Sequence, residues 1–126
     1  EAGGLTALRL GTGEQVWHTR PPAAECPPGT FLCGPAQSAA ISVIPGIVFS
    51  GTVDGTMRAY STNDGQILWE HNTVVEYSAV NGVQAKGGAI DGPGPTIVGG
   101  MLFLNSGYAH LGFGLAGNVL LAFGVD

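Results

Sequence analysis

Apolar and polar positions along the chain fall into short runs punctuated by single or paired glycines, the pattern expected of many short strands. "SAAISVI" (38 to 44) and "IVFSG" (47 to 51) flank the two-residue turn Pro45-Gly46. "TMRAYS" (56 to 61) follows the turn "TVDG", and "QILWE" (66 to 70) comes next. These runs predict four antiparallel strands joined by tight turns. "PTIVG", "MLFLN" and "NVLLAF" begin a further set.

The pattern repeats. Writing "LTALRLGTGEQVW" (5 to 17) above "MRAYSTNDGQILW" (57 to 69) superposes Ala7 on Ala59, Gly13 on Gly65, Val16 on Leu68 and Trp17 on Trp69, at a constant offset of 52. An incomplete third copy follows in "NVLLAFGVD", where Ala122-Phe123 matches Ala59-Tyr60. In each full copy two strands flank a turn that needs Gly at one position, since only Gly takes a positive φ at no cost. Four-stranded sheets recurring at roughly 40 to 50 residues are the blades of a β-propeller. The expected architecture is therefore all-β, about two and a half blades of one propeller domain: 1–19 as the end of a blade, 38–70 as a complete blade and 95–126 as an incomplete one. Both ends would then expose unpaired strand edges, so the chain alone would neither close a ring nor hold a cofactor.

Composition narrows the partners. Only 10% of residues are charged, the net charge is −5, and the four basic residues Arg9, Arg20, Arg58 and Lys86 lie far apart, so neither nucleic acid nor an anionic membrane surface is supported. The longest apolar stretch, "AAISVIPGIVF", is broken by Pro45-Gly46 and too short to span a bilayer. Cys26 and Cys33 are the only cysteines. They lack the second pair of a structural zinc site, and their Pro-Gly loop suits a local disulfide, which would imply an oxidising compartment, periplasmic or secreted. Two free thiols in a cytosolic chain are the alternative.

The residues at the repeat positions also carry a resemblance. Ala7, Thr12, Gly13 and Trp17 in "ALRLGTGEQVW" are similar to the repeat signature of the pyrroloquinoline quinone (PQQ) enzyme propellers, with Arg9 where that family has Asp. "AYSTNDGQILW" keeps Ala59, Gly65 and Trp69, with Ser61 and Asp64 at the Asp and Thr positions. The resemblance implies a docking role for Trp17 and Trp69, each packing its blade on the next, and their recurrence at one repeat position argues for packing rather than for a stacking platform. Beyond the repeat, "CGPAQSAAISVIPGIVFSGTVDGTMRAYS" and "NGVQAKGGAIDGPGPTIVGGMLFLNSGY" resemble the C-terminal propeller region of polyvinyl-alcohol dehydrogenases.

Four links between strands, 20–37, 52–55, 71–94 and 106–117, should emerge on one side of the propeller, and three of them are far longer than a β-turn. Long insertions gathered on one face mark the functional surface of a repeat protein. The link 71–94 holds the only Lys, Lys86, followed by Gly87 and Gly88, which would let backbone approach a ligand, with Asn81 and Asp91 nearby. PQQ bears three carboxylates, so Lys86 and Asn81 are of the type that binds it, and Asp91 is of the type that serves as base in alcohol oxidation, beside the Ca²⁺ that the resemblance implies. The bland readings are a solvated Lys86 and a turn-forming Asp91 before Gly92-Pro93, as Asp54 is a turn former in "TVDG". Asn105, Tyr108, His110 and Phe113 could line a channel for a polymer or large alcohol, or form a rim. His18 and His71, beside the two Trp, are expected at the solvent or the blade edge.

The expectation is a PQQ-dependent dehydrogenase that oxidises secondary alcohols, possibly polyvinyl alcohol, to ketones and passes electrons to a cytochrome c-type acceptor. The alternative is a non-catalytic propeller of the same repeat, serving as a protein-binding scaffold in the bacterial envelope.

Overall fold

The computed structural model describes residues 3–109, 112 and 114–125. Its strands are β1 (Leu5–Leu8), β2 (Gln15–Thr19), β3 (Ser42–Ile44), β4 (Ile47–Gly51), β5 (Thr56–Ser61), β6 (Ile67–Asn72), β7 (Glu76–Ser78), β8 (Gln84–Lys86), β9 (Thr96–Val98), β10 (Met101–Ser106) and β11 (Val119–Gly124). Pairing is antiparallel throughout: β1 with β2, β3-β4-β5-β6 in chain order, β7 with β8, and β9-β10-β11. Successive small meander sheets of this kind make a partial β-propeller.

The repeat read from the sequence holds down to individual hydrogen bonds. In the first copy Arg9 N donates to Glu14 O and Gly13 N to Arg9 O; in the second Ser61 N donates to Gln66 O and Gly65 N to Ser61 O. Gly13 and Gly65 both have φ of 73°, so the Gly at each turn is required by its backbone. Thr12 Oγ1 accepts from Glu14 N, and Asp64 Oδ1 accepts from Gln66 N in the matching place, which is why Thr and Asp exchange there. The Ser61 hydroxyl first and the Gln66 amide second hold the Asp64 carboxyl below its ordinary range. Each copy also carries a bulge at the same point, between Ala7 and Leu8 and between Ala59 and Tyr60.

Trp17 joins the first sheet to the second. Its Nε1 donates to Thr62 O at 2.9 Å, its ring lies against Gly65, and Thr19 Oγ1 donates to Gly65 O at 2.7 Å. A Cβ on Gly65 would come within 2.6 Å of the Trp17 ring, so the turn accepts the indole only because it has no side chain. At the next seam Trp69 meets Phe123 of β11 edge-on, with ring centroids 5.4 Å apart. His71 lies on β6, the edge strand of its sheet, as expected, but is half-buried there: its ring stacks beside Trp69, packs edge-on against Phe123, and lies 3.4 Å from the Tyr77 hydroxyl, whose pKa burial raises.

β5 divides two environments by strand alternation. Met57, on one face, is fully buried with Ile90, Leu104, Leu102 and Ala39, against Phe49, Ile97 and Phe123, and this apolar cluster joins the second and third sheets. The other face carries Thr56, Arg58 and Tyr60, all buried. The starts of β3 and β9 are also tied together, by Ala40 N to Gly92 O and Ser42 Oγ to Pro95 O.

Trp17→Ala should lower stability by about 3 kcal/mol, whereas Trp17→Phe, which keeps a ring on Gly65 and loses only the bond to Thr62, should cost about 1 kcal/mol. Urea unfolding of the two variants checks the difference; equal losses would mean that the ring contact contributes little.

Candidate functional site

The four long and short links meet on one side, as their spacing predicts. Val53 N donates to Ala36 O, Ile90 N to Thr52 O, Ala89 N to Leu115 O and Gly114 N to Phe31 O, so every link is bonded to another. Cys26 and Cys33 are joined in a disulfide that closes the loop ending next to Phe31 and Leu32, both exposed.

The link 71–94 is more ordered than its composition promised, because it contains the hairpin β7-β8. Its turn runs from Ala79 to Gly82: Gly82 N donates to Ala79 O, Gly82 has φ of 80°, Ala79 N donates to Val83 O, and Asn81 Oδ1 accepts from Val83 N at 3.1 Å. Asn-Gly between alternating residues is the strongest local hairpin signal, and "EYSAVNGVQAK" carries it. Asn81 thus stands at the hairpin tip, exposed, with its side-chain oxygen engaged by the turn.

Lys86 ends β8. Its backbone is clamped on both sides by Asn118, whose Oδ1 accepts from Lys86 N and whose N donates to Lys86 O, each at 2.9 Å. The clamp leaves the side chain exposed at an open groove of about 600 Å³ shared with Glu76, Gln84 and Asn118. Glu76 stands opposite Lys86 in the hairpin register, yet the ammonium makes no ion pair among the described residues. Asn118 carried no sequence signal; it is 32 residues away and acts through its backbone and amide alone.

Gly87 and Gly88 do not open space for a ligand. A Cβ on Gly87 would collide with the Thr73 carbonyl, one on Gly88 with the Leu115 carbonyl, and one on Gly107 with Gly117. Here backbone packs on backbone, sealed by a buried pair of hydroxyls: Thr73 Oγ1 and Ser106 Oγ lie 2.7 Å apart, and Ser106 Oγ accepts from Gly88 N. The paired glycines are a structural knot beneath the groove.

Asp91 is not among the residues that line the Lys86 groove. Its Oδ1 accepts from Ser38 Oγ at 2.5 Å, a bond between the links that lead into β3 and β9. Gly92 follows, in contact with the Tyr108 ring to the extent that a Cβ there would lie 3.9 Å from it. The structure therefore ties Asp91 to Ser38, with the following Gly92 against the Tyr108 ring, while neither Asp91 nor Asn81 is among the residues that line the Lys86 groove. Asn105 and Tyr108 border another open groove with Asn118. His110 and Phe113 lie outside the described residues. His18 is exposed, with Nδ1 2.8 Å from Thr6 Oγ1, and Asp54 serves its turn by accepting from Thr56 N. Among the described residues no three His, Cys, Asp or Glu are close enough to hold a metal, and no helix is long and apolar enough to cross a membrane.

Comparison with known proteins gives this geometry a context. The chain is 47% identical over 98% of its length to a polyvinylalcohol dehydrogenase of Pseudomonas sp, and 42% identical over 98% of its length to one of Sphingopyxis sp. (strain 113P3). The chain is homologous to a segment of these dehydrogenases. It spans about a fifth of the length of each. No family model matches it.

Two outcomes follow from the site's construction. Gly87→Ala should abolish soluble folding or cost more than about 3 kcal/mol, because the added methyl meets a carbonyl and not a movable side chain. Reducing the Cys26–Cys33 bond should lower stability by about 2 kcal/mol, read as a fall in melting temperature with added thiol that is absent in the double Cys→Ser variant.

Proposed function

We propose that this chain forms part of the propeller of a PQQ-dependent alcohol dehydrogenase that oxidises secondary hydroxyls, including those of polyvinyl alcohol, to ketones. The observation that carries the reading is identity of 47% and 42%, across 98% of the chain, with two polyvinylalcohol dehydrogenases. The gathering of the links on one side supports it, since that side offers both an exposed ammonium and a positioned carboxylate.

The residues fit PQQ in part. The Lys86 ammonium, unpaired among the described residues and backed by the amides of Gln84 and Asn118, suits one carboxylate of the cofactor, and the Asn81 amide NH₂ at the hairpin tip suits a second contact. Among the described residues no three Asp, Glu, His or Cys side chains lie close enough to hold a Ca²⁺, and no step is assigned to the ion. PQQ, when bound, supplies the two-electron acceptor for the carbinol. The protein's part is then to place the alcohol and take its proton. Asp91 has one oxygen held by Ser38 and the other, Oδ2, left to accept a hydroxyl proton, so Ser38 sets the orientation in which the base is presented. The reduced cofactor requires a separate acceptor, for which a cytochrome c is of the right kind. The Cys26–Cys33 disulfide accords with a periplasmic or secreted location.

The test is dye reduction by the full-length natural protein reconstituted with PQQ, with polyvinyl alcohol and small secondary alcohols. Activity should require PQQ, Asp91→Asn should reduce kcat by at least about a hundredfold, and Lys86→Ala should raise the PQQ concentration needed for half activation by about tenfold. Undiminished turnover without PQQ would overturn the reading.

A further inference from the structure

The hairpin β7-β8 ends in a dipeptide with a chemistry of its own. Asn81 and Gly82 are both exposed, and a Cβ on Gly82 would meet nothing within 4 Å. The main-chain N of Gly82 therefore stands beside the Asn81 amide with no side chain to screen it. Asn81 Oδ1 accepts from Val83 N at 3.1 Å. That bond folds the amide back over the residue that follows it, and it draws electron density from Cγ, as a donor in an oxyanion hole does.

The four other asparagines of the chain, Asn63, Asn72, Asn105 and Asn118, provide the comparison. Asn72 Oδ1 accepts from Val74 N at 2.8 Å, the same bond in the same place, but its next residue is Thr73, β-branched and fully buried, with its N bonded to Gly55 O. Asn118 Oδ1 is taken by Lys86 N, and the next residue is Val119, β-branched and buried. Asn105 precedes Ser106, which is buried at the end of β10. Asn63 precedes Asp64, whose exposed carboxylate repels hydroxide. Among the described residues, exposure, a polarised amide and an unscreened neighbouring N coincide at Asn81 alone.

We propose that Asn81 is a self-modification site, at which the chain converts its own asparagine to aspartate and isoaspartate. Solvent hydroxide removes the Gly82 amide proton, the nitrogen attacks Asn81 Cγ, the Cγ–Nδ2 bond breaks, and ammonia leaves a cyclic imide that links Cγ to Gly82 N. Water then opens the imide. Opening at Cγ leaves aspartate; opening at the main-chain carbonyl leaves isoaspartate, with the chain routed through Cγ and lengthened by a carbon. The net reaction turns an amide and a water into a carboxylate and ammonium, with nothing oxidised or reduced. In the closed turn Gly82 N donates to Ala79 O, so the reaction proceeds from the open form of the turn, which an exposed hairpin tip reaches at low cost.

Both products put a carboxylate where an uncharged amide stood, and isoaspartate also lengthens the turn that sets Ala79 against Val83. The modification stands on the hairpin alone; its effect on a cofactor rests on the function proposed above, in which the Asn81 amide contacts a carboxylate of PQQ. There the new charge would repel the ligand that the amide received.

The test is peptide mapping by mass spectrometry of the full-length natural protein during incubation at neutral and mildly alkaline pH. Position 81 should convert at least about tenfold faster than the other four asparagines, at a rate that rises with hydroxide, and give both products. Gly82→Ala, for which the structure has room, and Asn81→Gln, whose imide would need a larger ring, should each slow conversion at position 81 about tenfold or more. Gly82 has φ of 80°, so if alanine there unsettles the turn, Asn81→Gln decides. Position 81 left intact, a rate indifferent to pH, or undiminished conversion in Asn81→Gln would overturn the proposal. Asn81→Asp, measured fresh, should raise the PQQ concentration for half activation about fivefold. Conversion at position 81 with no such rise would keep the modification and remove the cofactor contact. A rise in that variant, with position 81 stable in the natural protein, would do the reverse.

Discussion

The contact on which the first two sheets depend is that between the Trp17 ring and a turn with no side chain to obstruct it. The indole N–H finds the Thr62 carbonyl, the ring covers Gly65, and the Thr19 hydroxyl caps the same glycine. Because one residue supplies both a large apolar surface and a directional bond, it sets the spacing and the rotation between sheets together. The second seam is built differently, from the Met57–Leu104 cluster and the ring contacts of Trp69, His71 and Phe123, and tolerates a more exposed tryptophan.

That arrangement leaves β5 with two tasks. Its Met57 face is buried in apolar contact with the third sheet, and its Arg58 face is buried in polar contact with the link from the first. A strand covered on both sides is usually apolar throughout. Here one face instead carries a guanidinium, a phenol and a hydroxyl, the first held by the ion pair to Glu70 and the Thr52 hydroxyl and the second by the Gln37 amide. Among the described residues Gln37 Oε1 stays buried without a partner at the edge of this network, a local cost.

Much of the fold was legible because it is repeated locally. The turn geometry of Gly13 and Gly65 and the docking of Trp17 follow from residues within one hairpin or its copy. The hairpin β7-β8 was equally legible from Asn81-Gly82, and was obscured by reading the polar residues of that link for their chemistry before their turn preference. The site was less so. Ser38 and Asp91 meet across 53 residues, and Asn118 reaches Lys86 across 32, through bonds that no periodicity announces. Gly87 and Gly88 illustrate the same limit: a glycine pair signals close approach, but only the fold says whether a ligand or another stretch of backbone is what approaches.

The Asn118 clamp has a bearing on how such a protein could have arisen. Propellers grow by duplicating blades, and a blade can be copied freely if everything it needs lies within itself. Here the hairpin that presents Lys86 belongs to the link before the third sheet, yet its last strand is completed by the loop inside that sheet, two hydrogen bonds deep. A copied unit would carry the hairpin to a neighbour without its clasp. Such a seam resists shuffling of the hairpin, yet it leaves the side chain at position 86 free to change, because Asn118 holds only the backbone N–H and C=O there.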